Sequence, residues 1–110
     1  LKGVEGVTAP IVADCVEKMS WFVYVVRLDD KYSEEDRERI MVGLRDRGIG
    51  CNNYFVPIHT MPFYVEQFGY KVGDFPVTDR VAGRTIALPF YNRLQPNEQE
   101  YVVEELKKLL

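Results

Sequence analysis

Histidine occurs once in these 110 residues and cysteine twice. His59 alone cannot make a zinc site, and Cys15 and Cys51 form no C-x-x-C pair, so there is no metal or dithiol redox signature. Two isolated cysteines in a chain with no secretory segment suit a reducing compartment, and a cytoplasmic location is expected. Long hydrophobic runs are also lacking. The longest, Trp21 to Leu28, is far too short to span a bilayer, so no membrane partner is expected. There is no excess of positive charge either. A formal net charge of -3 argues against a protein held to nucleic acid by broad charge neutralisation. No G-x-G-x-x-G or P-loop pattern is present to cradle phosphates, and no G-x-S-x-G elbow supports a serine nucleophile.

What is present fits one globular domain. The hydrophobic fraction is 46% and the charged fraction 28%, both ordinary for such a domain. Residues 1–19, with glycines, a threonine and a proline near the start and no clear period, read as a linker or lead-in. Trp21 to Leu28 is rich in aromatic and β-branched residues and predicts a strand covered on both faces, or on one face with a partner on the other. Ser33 followed by Glu34, Glu35 and Asp36 predicts a capped helix start, with Ile40, Met41 and Leu44 as its buried stripe and Gly48 as its end. Ile49 to Phe55 predicts a second strand weakened by Gly50. Pro57 and Pro62 bracket a rigid loop, and Phe63 to Phe68 predicts a turn or two of helix. Val77 to Gly83 follows as a short helix begun by Pro76, and Thr85 to Leu88 as a third strand. Asn97 and Glu100 resemble a capping box for a last helix with Val102, Val103, Leu106 and Leu109 on one face. The expected class is α+β: a small, mostly antiparallel sheet of about three strands with helices packed on it.

Chemistry has few places to reside. Acidic residues from Glu34 to Glu38 and from Glu98 to Glu105 read as solvated helix faces, and most arginines as surface charges or helix-end partners. Arg84, just ahead of the third strand, is a candidate for facing an anionic ligand. His59 has two readings. One is a surface-loop histidine with no task. The other notes that two prolines stiffen its loop while Tyr54, Phe55, Phe63 and Tyr64 crowd it, a setting in which an imidazole can hydrogen-bond a phosphate or a sugar hydroxyl.

A resemblance favours the second reading. Pro57, Ile58, His59, Pro62 and Tyr64 match the P-[LI]-H-x-x-P-x-Y pattern of sugar aminotransferases of the DegT/StrS type. Gly69-Tyr70-Lys71 and Gly73-Asp74-Phe75-Pro76-Val77 resemble the family's next loop, and Ile86-Ala87-Leu88-Pro89-Phe90-Tyr91 its strand end. Thr78-Asp79 stands where the family often has Ala-Glu, and Asn92 where it often has proline; both departures read as tolerable for binding, and neither is expected to touch the histidine loop. The resemblance implies the C-terminal small domain of an aspartate-aminotransferase-like, fold-type-I enzyme, with residues 1–19 leading in from a large domain and residues 20–110 forming the small one. It implies pyridoxal 5'-phosphate as cofactor of the full-length homodimer, a nucleotide-linked keto-sugar as substrate, and glutamate as the usual amino donor, in amino-sugar and surface-polysaccharide biosynthesis. None of the lysines here matches the family's Schiff-base motif, so these residues are expected to bind no cofactor covalently, to carry no catalytic group and to be inactive alone. By matching position, His59 is the substrate contact, a donor to the sugar or its diphosphate, with Asn53, Tyr54 and Phe55 lining the same pocket. Two alternatives stay open: a sugar dehydratase of the same family and a stand-alone α+β ligand-binding module.

Overall fold

The computed structural model describes Leu1 and residues 3–110. Three strands form one antiparallel sheet in the order β1 (Val7–Thr8), β2 (Tyr24–Leu28), β3 (Thr85–Leu88). In β2 and β3, Tyr24 pairs with Leu88 and Val26 with Ile86, while Val7 of β1 pairs with Leu28. Because side chains alternate along a strand, this register sends Val7, Val26, Leu28, Ile86 and Leu88 to a single face, and all five are buried. That face meets helix α1 (Glu34–Asp46) through Ile40, Met41 and Leu44, and helix α4 (Pro96–Leu109) through Val102 and Leu106. On the opposite face Val25, Arg27 and Ala87 stay half-exposed. Of the two coverings expected for Trp21 to Leu28, the structure has one covered face.

Helix α1 starts and stops where its sequence signals stand. The Ser33 hydroxyl accepts from the Asp36 backbone N–H at 3.1 Å, and the Asp36 carboxylate accepts from the Ser33 N–H at 2.9 Å. At the other end Gly48 takes the left-handed conformation at φ 75°, and the N–H groups of Gly48 and Ile49 reach back to the carbonyls of Arg45 and Leu44. This is a Schellman closure, and it turns Ile49 into the core at 4% exposure.

Three elements differ from expectation. The segment 1–19, read as a lead-in, contributes β1, because Val7 finds an open edge of β2. Ile49 to Phe55 forms no strand. Asn52 and Ala87 exchange one pair of backbone hydrogen bonds (3.2 and 2.7 Å), and then the Tyr54 carbonyl is taken by the Thr85 hydroxyl at 3.0 Å, which turns the chain out of the ladder. Helix α4 is capped by Gln95, not Asn97. Pro96 presets the first helical residue, and the Glu98 carboxylate accepts from the Gln95 N–H at 2.7 Å, so the box closes two residues earlier. Between α1 and β3 lie a 3-10 turn (Ile58–Thr60), α2 (Pro62–Phe68) and α3 (Pro76–Ala82), and these carry the histidine loop.

Candidate functional site

The two prolines act as the sequence suggests. Pro57 precedes the 3-10 turn, whose Thr60 hydroxyl donates back to the Pro57 carbonyl at 2.8 Å, and Pro62 opens α2. His59, in the middle of that turn, is turned inward and is 6% exposed. His59 is therefore an interior residue and not the surface one that the first reading expected. Its ring lies against Phe75 with centroids 4.8 Å apart, and its Nε2 lies 2.9 Å from Asp79 Oδ1. The distance is short, but the direction departs from hydrogen-bond alignment, and Nε2 has no other partner. We take the contact as chiefly electrostatic. The second Asp79 oxygen accepts the Gly73 backbone N–H at 2.8 Å, so one carboxylate joins the histidine turn, the 70–75 loop and α3.

Beside His59 opens a groove of about 750 Å³ lined by Tyr54, Phe55, Tyr64, Phe68 and Phe75 among others. Its aromatic rings run edge to face and face to face from Tyr64 to Phe68 (6.2 Å), Tyr70 (5.6 Å) and Phe75 (5.5 Å), ending at the imidazole. Such contacts hold a wall in one shape. An apolar wall with a single buried polar group is the usual make-up of a small-molecule site.

Of the expected site residues, the structure brings Tyr54, Phe55 and His59 to this groove. Asn53 lies outside it, on a smaller neighbouring hollow of about 230 Å³ that also touches Arg37 and Asp79. Arg84 lines neither. Its Nη1 donates to the Arg80 carbonyl at 2.8 Å, its Nη2 to the Asp30 carbonyl at 3.4 Å, and its Nε stands 3.9 Å from the Asp30 carboxylate. Those contacts turn the guanidinium toward Asp30 and Arg80 rather than the groove, although Nε itself has no hydrogen-bond partner. Two residues central to the geometry escaped sequence reasoning. Asp79 was visible only as a departure from the family pattern expected not to touch the histidine loop, and the structure corrects this, since α3 brings its carboxylate to 2.9 Å from the His59 ring. Arg37 lay in a run of charges, yet it is 3% exposed and ties α1 to the end of α3 by donating to the Ala82 carbonyl at 3.0 Å. No sequence signal marked its burial: its ion-pair partners Glu34 and Glu38 are exposed, as is the similarly placed Arg39.

The groove carries no lysine and no arginine among the described residues that line it. These residues do not fit the phosphate and Schiff-base requirements of pyridoxal phosphate, and no step through that cofactor is assigned to them.

Fold and groove together define a small α+β domain with an aromatic-walled groove. The chain matches the DegT/DnrJ/EryC1/StrS aminotransferase family over residues 1–107, and it belongs to that family. It is 32% identical over 108 residues to the spore coat polysaccharide biosynthesis protein SpsC of Bacillus subtilis, covering 97% of this chain and 28% of that protein. It is 34% identical over 112 residues to the dTDP-3-amino-3,4,6-trideoxy-alpha-D-glucose transaminase of Micromonospora megalomicea, covering 100% of this chain and 28% of that protein. Among solved structures, the aminotransferase TlmJ from Streptoalloteichus hindustanus superposes with a TM-score of 0.81 at 27% identity, over 99% of this chain and 27% of that one. The chain thus spans a little over a quarter of the relatives it matches. The antiparallel α+β fold expected from the resemblance to fold-type-I aminotransferases stands.

Proposed function

We propose that this chain is the small-domain portion of a pyridoxal-phosphate-dependent homodimeric aminotransferase, with β1 of the leading segment 1–19 built into the sheet of residues 20–110. Its substrate is a nucleotide-linked keto-sugar, its amino donor glutamate, and its place the cytoplasm. The observation that carries this reading is the inward-turned His59 at the wall of an aromatic groove, in a chain matched to the family over residues 1–107. The name of the Micromonospora relative, a dTDP-sugar transaminase, supports the substrate class.

In this reading the chain's own residues bind and orient. Tyr54 and Phe55 offer ring faces to a sugar or base, His59 offers a buried polar contact beside the tyrosine hydroxyls, and the apolar wall excludes water. Amino transfer belongs to the cofactor, whose lysine and phosphate contacts lie outside these residues. In the full-length enzyme, His59→Ala should lower kcat/KM for the sugar nucleotide about tenfold, the value of one hydrogen bond of about 1.4 kcal/mol. Cofactor absorbance should be unchanged. Unchanged kinetics would assign His59 a purely structural role and remove the main support for the reading.

A further inference from the structure

We propose that Asp79 is a positioning residue that fixes the tautomer of His59, so that Nδ1 meets the groove as a hydrogen-bond acceptor. The partner it suits is a hydroxyl or other donor on the sugar, not the diphosphate. This deepens the substrate reading above and rests on it for the identity of the ligand.

The geometry singles out Nε2 as the nitrogen that carries the proton. It stands 2.9 Å from Asp79 Oδ1, sealed from solvent and with no other partner. A bare Nε2 would hold its partial negative charge 2.9 Å from a carboxylate oxygen in a site of low dielectric, where the repulsion is strongest even without alignment. A proton there turns repulsion into attraction even though the alignment is bent. The carboxylate is itself held in place. Its other oxygen accepts the Gly73 N–H at 2.8 Å, and its backbone N–H donates to the Phe75 carbonyl at 3.0 Å, while the Phe75 ring covers the imidazole. Segment 73–79 therefore forms a clamp on one edge of the ring. In a neutral imidazole the nitrogen that lacks the proton is an acceptor. Phosphate oxygens are acceptors too and would be repelled by it, whereas a sugar hydroxyl donates. The Thr78-Asp79 pair, a departure from the family's common Ala-Glu, thus falls on the residue that sets what His59 can bind.

The test uses the fact that His59 is the sole histidine. In the chain labelled with 15N-histidine, long-range proton–nitrogen correlation at pH 8, above the ordinary histidine range, reads each ring nitrogen as protonated or bare. The expected result is a protonated Nε2 and a bare Nδ1. In Asp79→Asn the side-chain oxygen still serves Gly73 and the amide donates toward Nε2, so the tautomer should reverse to Nδ1–H. Asp79→Glu should keep the native tautomer. A wild-type chain with Nδ1 protonated overturns the proposal, as does a folded Asp79→Asn with an unchanged tautomer. If Asp79→Asn does not fold, the wild-type and Asp79→Glu spectra decide. In the full-length enzyme Asp79→Asn should lower kcat/KM about tenfold, with Asp79→Glu recovering most of it and cofactor absorbance unchanged in both. Normal turnover by Asp79→Asn beside an impaired His59→Ala overturns the role of Asp79 alone. Normal turnover by His59→Ala overturns the substrate reading and leaves the tautomer result standing.

Discussion

Replacing Thr85 by valine should loosen the whole histidine loop from the sheet. Thr85 is 7% exposed, and its hydroxyl faces two carbonyls, Tyr54 at 3.0 Å and Ala82 at 3.3 Å. A hydroxyl has one proton, so these are shares of a single donor. The Ala82 carbonyl keeps the Arg37 guanidinium at 3.0 Å in the variant. The Tyr54 carbonyl keeps nothing comparable. Valine matches threonine in shape and in preference for strands, so the change isolates the hydrogen bond. Losing it and leaving a half-buried carbonyl unpaired costs about 1–2 kcal/mol. For a domain of this size that lowers the thermal midpoint by about 5–10 °C, measurable by far-ultraviolet circular dichroism. Hydrogen exchange should localise the effect. The Ala87 amide, bonded to the Asn52 carbonyl at 2.7 Å, should exchange faster. Thr85→Ser, which keeps the hydroxyl and removes a methyl, should fall less. If Thr85→Val is as stable as the wild type while Thr85→Ser is not, the methyl and not the hydroxyl anchors the loop, and this reasoning fails.

Two further outcomes are expected. Ser33→Ala removes the cap of α1 and should cost about 1 kcal/mol at neutral pH, read from urea unfolding. The backbone N–H and then the hydroxyl of Ser33 hold the Asp36 carboxyl below its usual range, so its stabilisation is present above the unfolded-state value and is lost as pH falls through the folded one. The gap between Ser33→Ala and the wild type should therefore narrow in strong acid; a constant gap would count against the box. For the thiols, burial pushes Cys51 up, with Arg45 opposing, while Cys15 is exposed. A thiol reagent at mildly alkaline pH should label Cys15 first and Cys51 in a separate, slower phase, and one common phase would contradict the burial of Cys51.

Sequence alone was a good guide wherever a local pattern and the tertiary environment agreed. Ser33, Ile40, Leu44 and Gly48 each announced its place in α1, because cap, stripe and left-handed glycine are properties of one helix. The strands were harder, since a strand is completed by a distant partner. Val7–Thr8 has too little length to show a period, and only the open edge of β2 makes it a strand. Ile49 to Phe55 has acceptable strand composition, yet the Thr85 hydroxyl diverts Tyr54 after one bridge. At Gln95 two capping boxes competed, and the proline at 96 chose the earlier one. The site was legible as a loop and illegible as a geometry. Proline spacing pointed to His59, but nothing in the spacing from 59 to 79 told that a carboxylate in α3 would close on its ring.

The groove is also chemically one-sided, and this bears on what the proposed enzyme requires of its other parts. Phe55, Ile58 and Val77, which line it, are 65%, 60% and 68% exposed. The radius of gyration is 15.5 Å, against about 13 Å for a compact chain of this length. Clustered apolar exposure of this kind marks a surface that meets something. Against a lining with no lysine or arginine, a nucleotide sugar brings a diphosphate that needs cations, and Arg84 is turned instead to Asp30 and Arg80. In the proposed enzyme the division of labour follows from that shortage. This domain contributes shape and one directed hydrogen bond, and the charge that holds the diphosphate comes from beyond the groove.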